Sequence, residues 1–144
     1  ELAKAEGGKI LHGGNEPQNL ESHLKEGAFL EPTVIGGLSP YSKTATEEIF
    51  GPVVTLHRFK TEEEAIEYAN SVEYGLCASV QTTNLNRAHR VSDELETGMV
   101  WINTWLLRDL RVPFGGVKNS GIGREGGEDS LHFFSEDKNI CLSY

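Results

Sequence analysis

Apolar and polar positions predict alternating strands and helices through the middle of the chain. Residues 53 to 59 form a β-branched, alternating run that is typical of a strand. Residues 76 to 81 and 99 to 103 form two more apolar runs of strand length. Between these runs, apolar residues recur at helical spacing, first over residues 65 to 72 and then over residues 85 to 95. This order is typical of the α/β class and predicts a parallel sheet with helices on both faces.

Residues at the ends of these segments support the assignment. Thr61, followed three residues later by Glu64, forms a capping box that predicts a helix start. Asn84 is expected to begin the second helix and Gly98 to end it. Gly7 is expected to end a short opening helix before a strand over residues 9 to 12.

Three further segments have weaker patterns. Residues 29 to 35 resemble a strand but contain Pro32, which predicts an edge position or an irregular strand. Residues 104 to 127 contain six glycines and three arginines with little apolar periodicity, so they predict a long functional loop. The apolar run over residues 139 to 142 predicts a terminal strand, which must pair with its own sheet or with another subunit.

Composition narrows the possible partners. The formal net charge of −9 argues against non-specific binding to nucleic acid or to an anionic membrane. No apolar run approaches the ~20 residues that a membrane span needs, and the beginning does not resemble a signal peptide.

Cys77 and Cys141 are widely separated in sequence. This separation suits a reducing, cytoplasmic setting and provides no metal-binding spacing. The chain opens as if within a helix, so we expect a piece of a longer protein.

Three segments could carry chemistry, and each has a simpler interpretation. Glu48 and Phe50 precede a Gly-Pro turn and would suit a ribose and a flat heteroaromatic ring, although alone they favour a solvated carboxylate and a core aromatic residue. The glycine-rich run from Pro113 suits a loop lining a substrate tunnel, or a plain connection, and lacks P-loop spacing. Arg108 and Arg111 could bind an anionic substrate, or could form a surface ion pair with Asp109.

The order of four motifs is more specific than any one of them. EEIFGPV, YGLCASV, GMVWIN and PFGGVKNSGIGRE occur in this sequence in the order and spacing that resemble the C-terminal region of the aldehyde dehydrogenase superfamily. The resemblance runs from about Gly7 to the last residues. The stretch from Asn103 through Arg111 and the ending KNICL look most similar to the 2-hydroxymuconic and 2-aminomuconic semialdehyde dehydrogenases of aromatic catabolism.

This resemblance implies roles for individual residues. Glu48 would hold the nicotinamide ribose, and Phe50 would pack near the nicotinamide. Phe114 and Leu107 would line the aldehyde tunnel. Arg108, with Arg111 as the second choice, would meet the carboxylate of the substrate. Asn103 would support the site from behind by hydrogen bonding. The expected cofactor is NAD, with NADP left open.

The resemblance also implies that essential parts lie upstream of the matched region. The family uses a nucleophilic cysteine, a glutamate base, an oxyanion-stabilising asparagine and a dinucleotide-binding domain. Cys77 and Cys141 lack an activating neighbour and are interpreted as structural. We therefore expect no catalytic residue and no metal site in this chain, and no turnover by the isolated chain. The alternatives are a non-catalytic assembly or binding piece of the same fold, or a dehydrogenase for other aldehydes.

The implied organisation has two parts. Residues 1 to 135 would be the C-terminal part of the catalytic domain. Residues 136 to 144 would be an oligomerisation strand, with residues 138 to 143 joining the sheet of a neighbouring subunit in a homo-oligomer.

Overall fold

The computed structural model describes residues 1–144 and has the α/β class that the sequence predicts. The chain forms two compact units, residues 1–71 and residues 72–144. The first unit contains α1 (Leu2–Ala5), β1 (Lys9–His12), a 3-10 turn (Ser22–Leu24), β2 (Thr33–Gly36), α2 (Lys43–Thr46), β3 (Val53–Leu56) and α3 (Glu62–Asn70). The second contains β4 (Tyr74–Gly75), β5 (Cys77–Val80), α4 (Leu85–Glu94), β6 (Met99–Ile102), β7 (Val117–Lys118) and α5 (Gly127–Phe134).

The sheet of the first unit has the order β1-β2-β3. β1 pairs with β2 in the antiparallel direction, whereas β2 and β3 are parallel. The predicted edge position of the proline-containing strand is therefore wrong, because β2 lies in the centre. The physical reason is that Pro32 precedes the strand, so every residue of Thr33–Gly36 keeps the N–H that a central strand needs.

The predicted helix ends of the first unit are confirmed. Gly7 adopts φ +86° after α1, and the N–H of Gly8 donates to the carbonyl of Ala3 at 2.7 Å. The Thr61 hydroxyl accepts the N–H of Glu64 at 3.2 Å at the start of α3. The Glu64 carboxylate accepts the N–H of Lys60 at 2.6 Å. In a capping box this return bond goes to the N-cap residue, Thr61, whereas here it goes to the residue before it.

In the second unit, β5 and β6 are parallel strands joined through α4, as predicted. Asn84 caps α4, since its side-chain oxygen accepts the N–H of Arg87 at 3.0 Å. The predicted helix end at Gly98 is wrong, because α4 ends at Glu94 and Leu95 is already extended. Gly98 instead allows a close approach: a Cβ there would lie 1.7 Å from the carbonyl oxygen of Gly115.

Burial is limited in both units. Ala3, Ile35 and Leu38 form a small core in the first unit, and Ala88 is the one buried apolar residue of the second. Residues 135 to 144 form neither helix nor strand, so the expected terminal strand is not seen in this single chain. The longest helix has ten residues, and none is long and apolar enough to cross a membrane.

Candidate functional site

The turn that carries Glu48 and Phe50 is attached firmly at its C-terminal end. It connects α2 to β3, and the N–H of Thr33 donates to the carbonyl of Pro52 at 2.8 Å. The N–H of Val53 donates to the carbonyl of Gly51 at 2.7 Å. These two bonds join the end of the turn to the sheet, so the position of the turn depends on the parallel β2–β3 pair.

Glu6 holds the start of α2, the short helix that precedes the turn, through a contact that no sequence motif indicated. Its carboxylate accepts the N–H of Lys43 at 2.9 Å, the N–H of Thr44 at 3.1 Å and the Thr44 hydroxyl at 2.5 Å. Glu6 thus satisfies the exposed N–H groups at the start of α2 from a distant part of the chain. The hydrogen bond from the Thr44 hydroxyl, with the two N–H groups, lowers the pKa of the Glu6 carboxyl from its ordinary value.

Glu48 and Phe50 themselves are available for a ligand. Glu48 is exposed, and its carboxylate makes no hydrogen bond or ion pair within the chain. Phe50 is 93% exposed and adopts φ +53°, an uncommon conformation for an aromatic residue. The core position considered for Phe50 is therefore wrong in this chain. An unpaired carboxylate can accept hydrogen bonds from hydroxyl groups, and an exposed aromatic ring can pack against a flat ring.

In the second unit, Asn103 fixes the start of the long loop. Its Oδ1 accepts the N–H of Thr82 and its Nδ2 donates to the carbonyl of Thr82, both at 2.8 Å. Its own N–H donates to the carbonyl of Val80 at 2.9 Å. Asn103 adopts φ +54°, which asparagine tolerates better than most residues. The side-chain amide thus closes the C-terminal ends of β5 and β6.

Trp101 holds the next part of the loop. Its indole N–H donates to the carbonyl of Leu107 at 2.8 Å, and its ring packs edge-on against Trp105 with centroids 5.1 Å apart. Leu107 is 75% exposed. The backbone immediately before Arg108 therefore has a defined position.

Arg108 and Phe114, two of the predicted substrate residues, are in contact. The Cζ atom of Arg108 lies 4.0 Å from the centroid of the Phe114 ring, in a cation–π arrangement. Arg108 Nη2 also donates to the Glu125 carboxylate. Phe114 and Glu125 form an antiparallel bridge, with N–H to carbonyl distances of 2.7 Å and 2.8 Å. Glu125 was not among the predicted site residues, although its carboxylate stands at the end of the PFGGVKNSGIGRE motif.

Arg111 does not join this cluster. Its Nε lies 2.9 Å and 3.1 Å from the two Asp109 oxygens, and its Nη2 lies 2.5 Å from Oδ2. The surface ion pair considered for Asp109 therefore exists, with Arg111 as the partner. Arg111 is 88% exposed and uses both Nε and Nη2 on Asp109, whereas Arg108 uses only Nη2 on Glu125, so Arg111 is the weaker candidate for binding an anionic substrate.

The glycine-rich loop is held by contacts of its own. Arg124 Nη1 donates to the carbonyls of Gly116 at 2.8 Å and Gly123 at 2.7 Å. The Ser120 hydroxyl accepts the N–H of Gly75 at 2.9 Å, and Lys118 Nζ lies 2.5 Å from the Glu96 carboxylate. These contacts give the loop a structural scaffold.

A groove of about 370 Å³ lies along this loop. Phe114, Ile122 and Phe133 are among its lining residues, whereas Arg108 is not. Its predominantly apolar wall is consistent with the predicted tunnel-lining loop.

The two cysteines lie in different environments. Cys77 lies in β5, where burial raises the pKa of its thiol from the ordinary value. Cys141 is exposed, and its Sγ contacts Asn139 Oδ1 at 3.8 Å. Both are free thiols.

Comparisons with known proteins agree with the motif order. The model of the aldehyde dehydrogenase family matches residues 1–140. The 2-hydroxymuconic semialdehyde dehydrogenase of Pseudomonas putida is 52% identical over 137 residues, 95% of this chain and 28% of that protein. The human 2-aminomuconic semialdehyde dehydrogenase is 49% identical over 143 residues, 99% of this chain and 29% of that protein.

Solved structures give the same result. The HpcC protein of Thermus thermophilus superposes with a TM-score of 0.88 and 42% identity, covering 99% of this chain and 30% of that one. Betaine aldehyde dehydrogenase from Staphylococcus aureus in complex with NAD+ superposes with a TM-score of 0.85 and 44% identity, covering 92% and 26%.

The fold and the order of the motifs match one class of proteins, the aldehyde dehydrogenases. This chain belongs to the aldehyde dehydrogenase family. It spans less than a third of the length of the relatives it matches.

Proposed function

We propose that this chain is part of an NAD-dependent dehydrogenase that oxidises a muconic-type semialdehyde to a carboxylic acid. One observation carries the choice of substrate: the Arg108 guanidinium is held between the Glu125 carboxylate and the Phe114 ring. A guanidinium in a defined position is well suited to recognise the carboxylate of a semialdehyde. The identity of about 50% to semialdehyde dehydrogenases supports the same substrate class.

The residues divide into two groups by role. Glu48 would accept hydrogen bonds from the nicotinamide ribose, and the exposed ring of Phe50 would pack near the nicotinamide. Phe114 and Leu107 would shape the path of the aldehyde. Bound NAD would supply the acceptor for the hydride that leaves the substrate, and NADP remains the alternative cofactor.

The isolated chain is proposed to be inactive. The relatives are more than three times as long, and the pKa of the Cys77 thiol is raised, which lowers the fraction of reactive thiolate. Aldehyde oxidation by purified residues 1–144 with NAD, abolished by Cys77→Ser, would contradict this proposal.

The proposed location is the cytoplasm. The two free thiols suit a reducing compartment, which supports this location.

The test of substrate class uses a hybrid enzyme. Residues 1–144 replace the matching segment of the Pseudomonas putida relative, and the KM is measured for 2-hydroxymuconic semialdehyde and for hexanal. Arg108→Leu is expected to raise the KM for the carboxylated aldehyde by roughly tenfold to a hundredfold, because a charge-assisted contact is lost. The KM for hexanal is expected to change by less than about threefold.

Arg111→Leu is the comparison variant, with an expected change of less than about threefold because Arg111 is 88% exposed and both its Nε and its Nη2 are bound to Asp109. A larger effect of Arg111→Leu than of Arg108→Leu would exchange their roles. No effect of either variant would favour a dehydrogenase for other aldehydes. A folded hybrid without turnover would favour a non-catalytic assembly piece.

Homo-oligomer formation through the C-terminal residues is a further part of the proposal. Ile140 is 73% exposed and Leu142 is 71% exposed, and they are two residues apart, as on one face of a strand. Residues 138 to 143 have a backbone without strand partners here and would gain them by joining the sheet of a neighbouring subunit.

A further inference from the structure

Glu125 has an unusually well defined backbone for an exposed residue. Both of its main-chain polar groups are bonded to Phe114, at 2.7 Å and 2.8 Å. The preceding residue, Arg124, is tied to the carbonyls of Gly116 and Gly123. The N–H of the following residue, Gly126, donates to the Ser130 hydroxyl at 2.8 Å. The carboxylate therefore projects from a fixed point beside the Phe114 ring.

Arg108 approaches the same point from the other end of the loop. Its side chain is 42% exposed, and without a partner it would sample many rotamers. The Phe114 ring restrains the guanidinium in one direction only, because a cation–π contact at an exposed site is weak and broad. The Glu125 carboxylate supplies the second, directional restraint.

We propose that Glu125 is a positioning residue for substrate selection, holding the Arg108 guanidinium against the Phe114 ring so that its remaining N–H groups meet the substrate carboxylate. This inference rests on the proposed function in one respect, that Arg108 binds the substrate carboxylate. The guanidinium has five N–H donors, and the Glu125 bond uses the Nη2 nitrogen, which leaves donors on Nε and Nη1. One arginine can thus serve both carboxylates.

The same arrangement explains how the site could avoid unspecific anions. Paired with Glu125, the Arg108 charge is largely neutralised, so a distant anion is attracted only weakly. A carboxylate that reaches the free N–H donors with correct geometry still gains directed hydrogen bonds. Selection then depends on the reach and orientation of the aldehyde chain.

The experiment measures the ratio of kcat/KM for 2-hydroxymuconic semialdehyde to kcat/KM for hexanal in the hybrid enzyme. A ratio cancels any effect on the chemical step that both aldehydes share. Glu125→Thr keeps a residue that favours extended backbone opposite Phe114, but its side chain is too short to reach Arg108. This variant is expected to lower the ratio about tenfold. Glu125→Gln keeps an acceptor oxygen at the same distance from the main chain, so it can still bond Arg108. It is expected to keep the ratio within about threefold of the parent value.

Glu128→Thr is the matched control, because it removes an exposed carboxylate three residues further along the chain. A thermal melt of each variant establishes that it is folded. If Glu125→Thr does not fold, Glu125→Ala replaces it with the same expected tenfold fall in the ratio. An unchanged or raised ratio for the shortened variant, or an equal fall in Glu128→Thr, would overturn the inference.

Arg108→Leu is measured in parallel to separate the two proposals. If Arg108→Leu leaves the ratio unchanged, the role that the proposed function gives to Arg108 is itself wrong, and the present inference fails with it. If Arg108→Leu lowers the ratio while the shortened Glu125 variants do not, Arg108 binds the substrate without help from Glu125, and only the present inference fails.

Discussion

Asn103 and Thr82 exchange two hydrogen bonds, each of 2.8 Å, between the side-chain amide of one and the main chain of the other. This contact joins the segment after β5 to the segment after β6, at the point where the long loop leaves the sheet. It gives the predicted supporting residue a definite task, which is to fix the origin of the loop that carries Leu107 and Arg108.

Replacing Asn103 is expected to destabilise the second unit. Asn103→Ala removes both hydrogen bonds and replaces asparagine with a residue that adopts φ +54° less readily, so we expect the free energy of unfolding to fall by about 2 kcal/mol. Asn103→Gly removes the same bonds without the backbone strain and is expected to cost about 1 kcal/mol. Urea denaturation measures both. If both variants lower the free energy of unfolding equally, the left-handed conformation of residue 103 does not contribute to the difference between alanine and glycine.

Gly98 is expected to tolerate no side chain. A Cβ at this position would lie 1.7 Å from the carbonyl oxygen of Gly115, so Gly98→Ala must push β6 and the glycine-rich loop apart. We expect the free energy of unfolding to fall by about 3 kcal/mol. Gly51→Ala is the control, since its Cβ would meet only Ile49, at 3.9 Å. A Gly98→Ala protein as stable as the control would contradict the close approach.

Glu6 is expected to make stability depend on pH on the acid side. The pKa of its carboxyl is lowered in the folded chain, chiefly by the Thr44 hydroxyl, so the ionised form is the one that folding favours. Its contribution is complete above the ordinary pKa of 4.5 and is lost as the pH falls through the lower, folded value.

The measurement is the difference in urea midpoint between the parent and Glu6→Gln from pH 7 to pH 3. We expect this difference to be largest near neutral pH and to shrink below pH 4.5. Glu16→Gln removes an exposed carboxylate of the same unit and reports the effect of the charge change alone. A difference that grows on acidification has the wrong sign for this account.

The C-terminal residues are expected to drive self-association of the chain. Light scattering of residues 1–144 at high concentration should detect a dimer or larger species, and removal of residues 138–144 should shift it towards the monomer. A monomer in both cases would refute strand addition. An unchanged oligomer after truncation would assign the contact to another exposed apolar surface.

Local structure in this chain could be predicted because it depends on neighbours in sequence. The capping of α3 by Thr61 and of α4 by Asn84 requires only groups three residues apart. The parallel pairing of β5 with β6 followed from two apolar runs separated by one helix. The order of four motifs was sufficient to indicate the family, which the comparisons confirmed.

Partners across long loops could not be predicted in this way. Asp109 is adjacent to Arg108 in sequence, yet Arg108 binds Glu125, 17 residues away, and Asp109 binds Arg111. Gly98 looked like a helix end and proved to be a point of close backbone contact. The sequence by itself determined the central strands and helices from β3 to β6, the family, and the arginines that were candidates for binding a carboxylate. Only the tertiary structure decided how these residues pair, because pairing depends on where the loop of residues 104 to 127 brings its two ends together.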